Sequence, residues 1–147
     1  MRNLSTEIED VVAFTVPLVP PSVNHAYSPT MYTGRDGYGH RGRKLTPEAK
    51  AFKEAVAIFA RGRTVAPATL KERRKVKYAI QIDVYLGVGQ RGDADNFAKL
   101  SVDGLVSAGV IHSDAFMSSC LITVHKEDRF NSRTEYIVAR EKDGKGR

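Results

Sequence analysis

Covalent and metal staples are scarce in this chain. A single cysteine, Cys120, excludes an internal disulfide framework and a cysteine-rich zinc site, and it suits a reducing compartment. The four histidines, His25, His40, His112 and His125, stand at no spacing such as H-x-x-x-H, so each reads as a surface or supporting residue. No Walker-type or G-x-G-x-x-G loop is present, and Ser22, Ser101 and Ser113 lack the context of a catalytic triad. Long hydrophobic runs are missing too. The longest apolar stretch, residues 11–19, contains Thr15 and Pro17 and is far short of the ~20 residues of a membrane span. The first residues lack the apolar core of an export signal. The expectation is a soluble, cytoplasmic protein with no membrane partner. Acid is short relative to base, 17 Asp+Glu against 23 Lys+Arg, for a formal net charge of +6. That balance permits a nucleic-acid partner without requiring one.

What is present suits one ordinary domain. A chain of 147 residues, 41% hydrophobic, buries enough surface to fold without staples. Residues 1–10 read as a lead-in, 11–140 as the domain, and 141–147 as a flexible basic tail. Residues 11–19 are β-branched and aromatic, hence a strand, and Pro17 marks an edge position or an early end. Pro20-Pro21-Ser22-Val23-Asn24 is a rigid extended corner.

Residues 28–44 read as a long loop, because Gly34, Gly37, Gly39 and Gly42 deny it a regular element. It carries Arg35, Arg41, Arg43 and Lys44 against Asp36 alone, with Tyr32, Tyr38 and His40 interleaved. Loops of that length are usually functional or disordered. Thr46-Pro47-Glu48 is a helix start, followed by Ala49, Phe52, Val56, Phe59 and Ala60 at helical spacing and closed by Gly62. A second basic run holds Lys71, Arg73, Arg74, Lys75 and Lys77.

Tyr78, Ile80, Ile82, Val84, Leu86 and Val88 then alternate as a strand, with Gln81, Asp83 and Tyr85 on its other face. Residues 95–108 read as a helix stopped by Gly109, burying Phe97, Leu100, Leu105 and Ala108. Val110-Ile111 opens an extended segment, Cys120 packs as a small hydrophobe, and residues 121–125 and 135–139 suit a hairpin of two strands. The fold class is α+β: a mixed β-sheet with helices packed on it.

The segment Arg91-Gly92-Asp93-Ala94-Asp95-Asn96-Phe97-Ala98-Lys99 is the richest in chemistry. Acids two apart in an extended turn point the same way, and like charges repel unless a cation lies between them. Mg²⁺ accepts a few carboxylates plus waters. Lys99 follows Asp95 by one helical turn and stands on the same face. A helix from Asn96 to Ala108 advances about 20 Å. If the chain returns extended after Gly109, Asp114 regains the level of the pair. The plainer alternatives stay open: Asp95 as a helix cap, Lys99 as the ion-pair partner of Asp95 or Asp103, and Asp114 as a turn cap.

Asp93-x-Asp95-Asn96-x-x-Lys99, with Asp114 nineteen residues after Asp95, resembles the RusA family of Holliday junction resolvases. Pro20-Pro21-Ser22-x-Asn24 after the first strand resembles that family's corner, and Leu45-Thr46-Pro47-Glu48-Ala49 starts a helix where the family does. The resemblance runs from about residue 11 to 140. It implies a bacterial, phage or prophage endodeoxyribonuclease of DNA recombination and repair, a homodimer that cuts four-way DNA junctions with Mg²⁺, or Mn²⁺ in its place. It implies Asp93, Asp95 and Asp114 as catalytic metal ligands and Lys99 as the catalytic lysine. Arg91, Asn24, Arg35, Arg41, Arg43 and Lys44 are the DNA-binding candidates. Many relatives carry two consecutive acids where this chain has Ser113-Asp114. A non-catalytic DNA-binding module, and a less selective Mg²⁺ nuclease for flaps and branched DNA, are the competing readings.

Overall fold

The computed structural model describes residues 8–22, 26–126 and 131–141. Its central strand, β4 (Lys77–Tyr85), buries Tyr78, Ile80, Ile82 and Val84 and turns Gln81 outward. β6 (Arg133–Glu141) pairs antiparallel with β4 on one side, and β5 (Met117–His125) pairs parallel with it on the other. β1 (Ile8–Val16) pairs antiparallel with β6, so the mixed four-stranded sheet runs β1-β6-β4-β5. Pro17 directly follows β1, which is an edge strand as expected.

Two helices cover one face. α1 (Pro47–Ala60) starts as its sequence dictates: the Thr46 hydroxyl accepts from the Ala49 N–H at 3.3 Å, and Pro47 occupies the first turn. It buries Ala49, Phe52, Val56 and Ala60 and ends with Arg61 in the left-handed region, just before Gly62. A single turn, α2 (Leu70–Arg73), precedes β4. α3 (Ala94–Ser107) is the crossover between the parallel strands β4 and β5, a connection that parallel neighbours require. It buries Phe97, Leu100, Ser101, Val102, Gly104 and Leu105. At Gly104 an added Cβ would stand 3.1 Å from Val56, so α1 and α3 approach closely because that residue has no side chain.

The core lies between these helices and the sheet. Val12, Phe14 and Val16 of β1 and Tyr136 and Val138 of β6 join it, with the Phe14 and Tyr136 rings stacked at 5.0 Å. The Tyr136 hydroxyl is wholly buried and donates to the Ser101 carbonyl at 3.0 Å. The other sheet face is open: Val11, Ile137 and Leu121 are exposed there.

The structure corrects the sequence expectations in five places. Residues 28–44 are mostly a ribbon, not a loop: β2 (Tyr27–Thr33) pairs antiparallel with β3 (Gly39–Leu45). Asp36-Gly37 turns the chain, with Gly37 at φ 81° and the Asp36 carboxylate accepting from the Tyr38 N–H. β5 and β6 do not form a hairpin, since β4 lies between them. Residues 108–113 do not return as an extended run; they coil tightly, and Val110 and Ile111 plug the core. Cys120 is exposed on the outer strand β5. Finally, Ile8 already belongs to β1, while the strand at residue 78 ends at Tyr85 and leaves Val88 exposed. The proposed tail, apart from Glu141 at the end of β6, lies outside the described residues.

Candidate functional site

The loop between β4 and α3 fixes the position of the acid pair. Leu86 is buried and its N–H donates to the His125 carbonyl at 2.9 Å, anchoring the loop to the end of β5. The Gly87 N–H donates to the Gln90 side chain. Gly92 has φ 151°, and a Cβ there would overlap the buried Phe97 ring. The chain therefore passes close over Phe97 before α3 begins.

Asp93 is the N-cap residue of α3, yet its side chain makes no capping hydrogen bond. Asp95 lies in the first turn. Both are exposed, and neither carboxylate is engaged in a hydrogen bond or ion pair among the described residues. The plain capping role is thus left unused. Asp93, Arg91 and Lys126 line an open recess of about 580 Å³ with Gln90 and the loop glycines. Lys99 leans the other way along α3, its Nζ 3.6 Å from Asp103 Oδ2. Of the two ion-pair partners open to it from the sequence, the structure shows Asp103.

Asp114 stands elsewhere. It opens a short 3₁₀ turn (Asp114–Phe116), capped by the Ser113 hydroxyl, which accepts from the Ala115 N–H at 3.2 Å. Ser113 therefore has a structural task of its own, as the cap of this turn. Asp114 shares a shallow recess with Lys53, Asp103, Ser107 and His112, at the carboxyl end of α3. The stretch of α3 from Asp95 to Ser107 spans about 18 Å at 1.5 Å per residue. Asp93 and Asp95 sit at one end of the fold and Asp114 at the other. Accordingly, no group of three or more acidic, His or Cys side chains suited to a metal occurs among the described residues.

Beside Asp114, His112 Nδ1 lies 2.6 Å from the Tyr78 hydroxyl, and its ring packs against Phe116 at 4.9 Å. Burial pushes the Tyr78 phenol up, and burial, then nearby Arg73, pushes the His112 imidazole down. Both shifts favour the neutral forms, which suit a hydrogen bond that seals this end of β4.

The DNA-binding candidates divide. Arg91 is in the acid recess. Arg35 and Lys44 are exposed on the ribbon, and Arg41 and Arg43 occupy β3 positions opposite Met31 and Pro29. Asn24 and His25 lie outside the described residues. The second basic run is diluted by acid: Lys75 shares a recess with Glu9, Glu72 and Glu141.

One cluster is not legible in the sequence. On the open face, His125 Nε2 is 2.8 Å from Asp83 Oδ1, its ring stacks on Tyr85 at 4.2 Å, and Arg133 covers Tyr85 at 3.7 Å. Alternation shows Asp83 and Tyr85 to face outward, but their neighbours come from two other strands. No family model and no curated protein matches the chain. No helix of the described residues is long and apolar enough to cross a membrane.

Proposed function

We propose that this chain is a Mg²⁺-dependent, structure-selective endodeoxyribonuclease, a homodimer that resolves four-way DNA junctions in recombination and repair, as its resemblance to the RusA family implies. The observation that carries the reading is the pair Asp93 and Asp95 at the amino end of α3, both exposed and neither spent on a cap. Two carboxylates, with waters and phosphate oxygens completing the shell, form a donor set that Mg²⁺ accepts. Asp93 and Asp95 would hold it, with Mn²⁺ as a substitute. When bound, such an ion lowers the pKa of a water and polarises a phosphodiester oxygen.

The chain's own residues supply the rest. The N–H groups at the amino end of α3 favour an anionic phosphate there, and Arg91 adds positive charge in the same recess. Lys99, one turn further along, offsets charge that builds in the transition state. The basic ribbon, through Arg35, Arg41, Arg43 and Lys44, grips the phosphate backbone, with Asn24 of the preceding corner beside it in sequence. The distance of Asp114 from the pair within one chain is the observation that favours the rival reading, a DNA-binding module without catalysis.

A labelled four-way junction, with and without Mg²⁺, tests the reading alongside flap, duplex and single-stranded DNA. Paired Mg²⁺-dependent cuts on the junction alone are expected. Asp93→Asn, Asp95→Asn and Asp114→Asn should each slow cutting by about 10²-fold or more while junction binding persists. Binding without cutting favours the module, equal cutting of flaps favours the less selective nuclease, and undiminished cutting by all three variants removes the site.

A further inference from the structure

The ribbon of β2 and β3 is tethered at its base and open at its tip. At the base the Thr46 N–H donates to the Ala26 carbonyl at 2.9 Å, and half-buried Leu45 packs against the core. Among the described residues the two strands pair only with each other. Six strand steps at about 3.3 Å each carry the tip roughly 20 Å from that base. The tip is a closed turn. The Gly34 N–H donates to the Tyr38 carbonyl at 3.0 Å, the Gly37 N–H to the Gly34 carbonyl at 3.0 Å, and the Tyr38 N–H to Asp36 Oδ1 at 3.0 Å.

Tyr38 stands on this turn 73% exposed; Phe59, the next most exposed aromatic among the side chains the structure describes, is at 36%. Met31 is exposed as well. Its Cε lies 3.5 Å from the place a Cβ would take on Gly39, so the thioether reaches across to the residue next to Tyr38. The end of the ribbon is therefore apolar, a ring beside a thioether. Around it the chain is basic. Residues 28–44 hold Arg35, Arg41, Arg43 and Lys44 against Asp36, whose carboxylate the Tyr38 N–H engages.

We infer that Tyr38 is a stacking site for an unpaired nucleobase, so that the ribbon tip favours branched or single-stranded DNA over duplex. This rests on the DNA-binding half of the proposed function and not on cutting. A nucleotide answers both features of the tip: its base offers a flat π-face to the ring, and its phosphate answers the surrounding cations. Inside a duplex each base has both faces covered by its neighbours, and a ring at the tip meets only base edges and phosphates. At a branch point, on a flap or along a single strand, base faces lie open. Stacking is tolerant of sequence, because every base has a π-face. Tyr38 therefore selects by DNA shape, while the ribbon's cations act on all DNA alike.

The test uses the full chain in EDTA at one fixed salt concentration, so that no cutting intervenes. The probes are oligo(dT), a four-way junction and a linear duplex. Tyr38→Ala should weaken binding to oligo(dT) and to the junction by about 5–150-fold and leave duplex binding within about twofold of the parent. Tyr38→Phe should keep the parent's affinity for all three, since the ring is retained. The chain has no tryptophan, so Tyr38→Trp introduces a single reporter. Its fluorescence should be quenched by oligo(dT) and by the junction, and far less by saturating duplex. Unchanged oligo(dT) and junction affinity in Tyr38→Ala, an equal loss on all three probes, or equal quenching by all three overturns the stacking site. Adding Mg²⁺ to the parent chain then separates the two readings. A chain that binds oligo(dT) through Tyr38 and cuts no junction keeps the stacking site and ends the nuclease reading. A chain that cuts junctions while Tyr38→Ala binds as the parent does keeps the nuclease and removes the stacking site.

Discussion

Gly92 shows how one residue can set the position of a neighbouring carboxylate. Its φ of 151° is a conformation that side-chain-bearing residues rarely adopt, and a Cβ there would enter the Phe97 ring. Phe97 is buried in the core under α3 and cannot give way cheaply. Gly92→Ala must therefore move the backbone directly before Asp93. Gly89 is the natural control: its φ is 78°, but a Cβ there meets nothing. Gly89→Ala should lower stability by about 1 kcal/mol through backbone strain alone. Gly92→Ala should cost about 2–3 kcal/mol and slow junction cutting more than it weakens junction binding. Denaturant midpoints and single-turnover cutting rates check both. Equal behaviour of the two variants would show that the close approach to Phe97 does not position Asp93.

At the scale of elements, the proposed function makes the basic ribbon the part whose form matters most for gripping DNA. As a loop it would spread its charges over many conformations; as β2 and β3 it holds Arg41 and Arg43 at alternate strand positions, with Lys44 beside them. Replacing Arg41, Arg43 and Lys44 together by Gln should weaken junction binding and flatten its salt dependence. The log–log slope should fall by about 0.9 for each phosphate that is no longer neutralised. Replacing Lys71, Arg74 and Lys75 should leave the slope nearly unchanged, because Glu72 lies within that run and Lys75 shares a recess with Glu9, Glu72 and Glu141. Titrations across salt concentrations decide, and a slope unchanged in the ribbon variant places the DNA path elsewhere.

The ribbon also shows where sequence reasoning reaches its limit. α1 is legible because its signals are local: a hydroxyl cap, a proline and an apolar stripe of which Phe59 alone stays exposed. β4 is legible from alternation alone. In the ribbon the number of glycines outweighs a turn signal, Asp36-Gly37, that is in plain view. The order of β5 and β6 is not legible, since the two are sequence neighbours but each finds its partner in β4. The acid pair is legible as a unit at the start of α3. The path to Asp114 is not, because Val110 and Ile111 gain more from burial in the core than from continuing as an exposed strand.

The whole molecule is a two-layer fold with its helices on one face of the sheet and with β1 and β5 as its edges. On the nuclease reading the working unit is the homodimer, and a single chain cuts nothing. Cutting then depends on concentration in a way that a site within one chain cannot imitate. Above the dimer dissociation constant, the initial rate on a junction should rise in proportion to protein, with a log–log slope of about 1. Below it, mass action makes the slope about 2. A supercoiled plasmid that extrudes a cruciform adds a second reading of the same experiment. Paired sites in one dimer release linear product, and dilution should reduce that product without accumulating nicked circles. A monomer with its own site would instead keep a slope of about 1 throughout and leave nicked circles as its main product at high dilution.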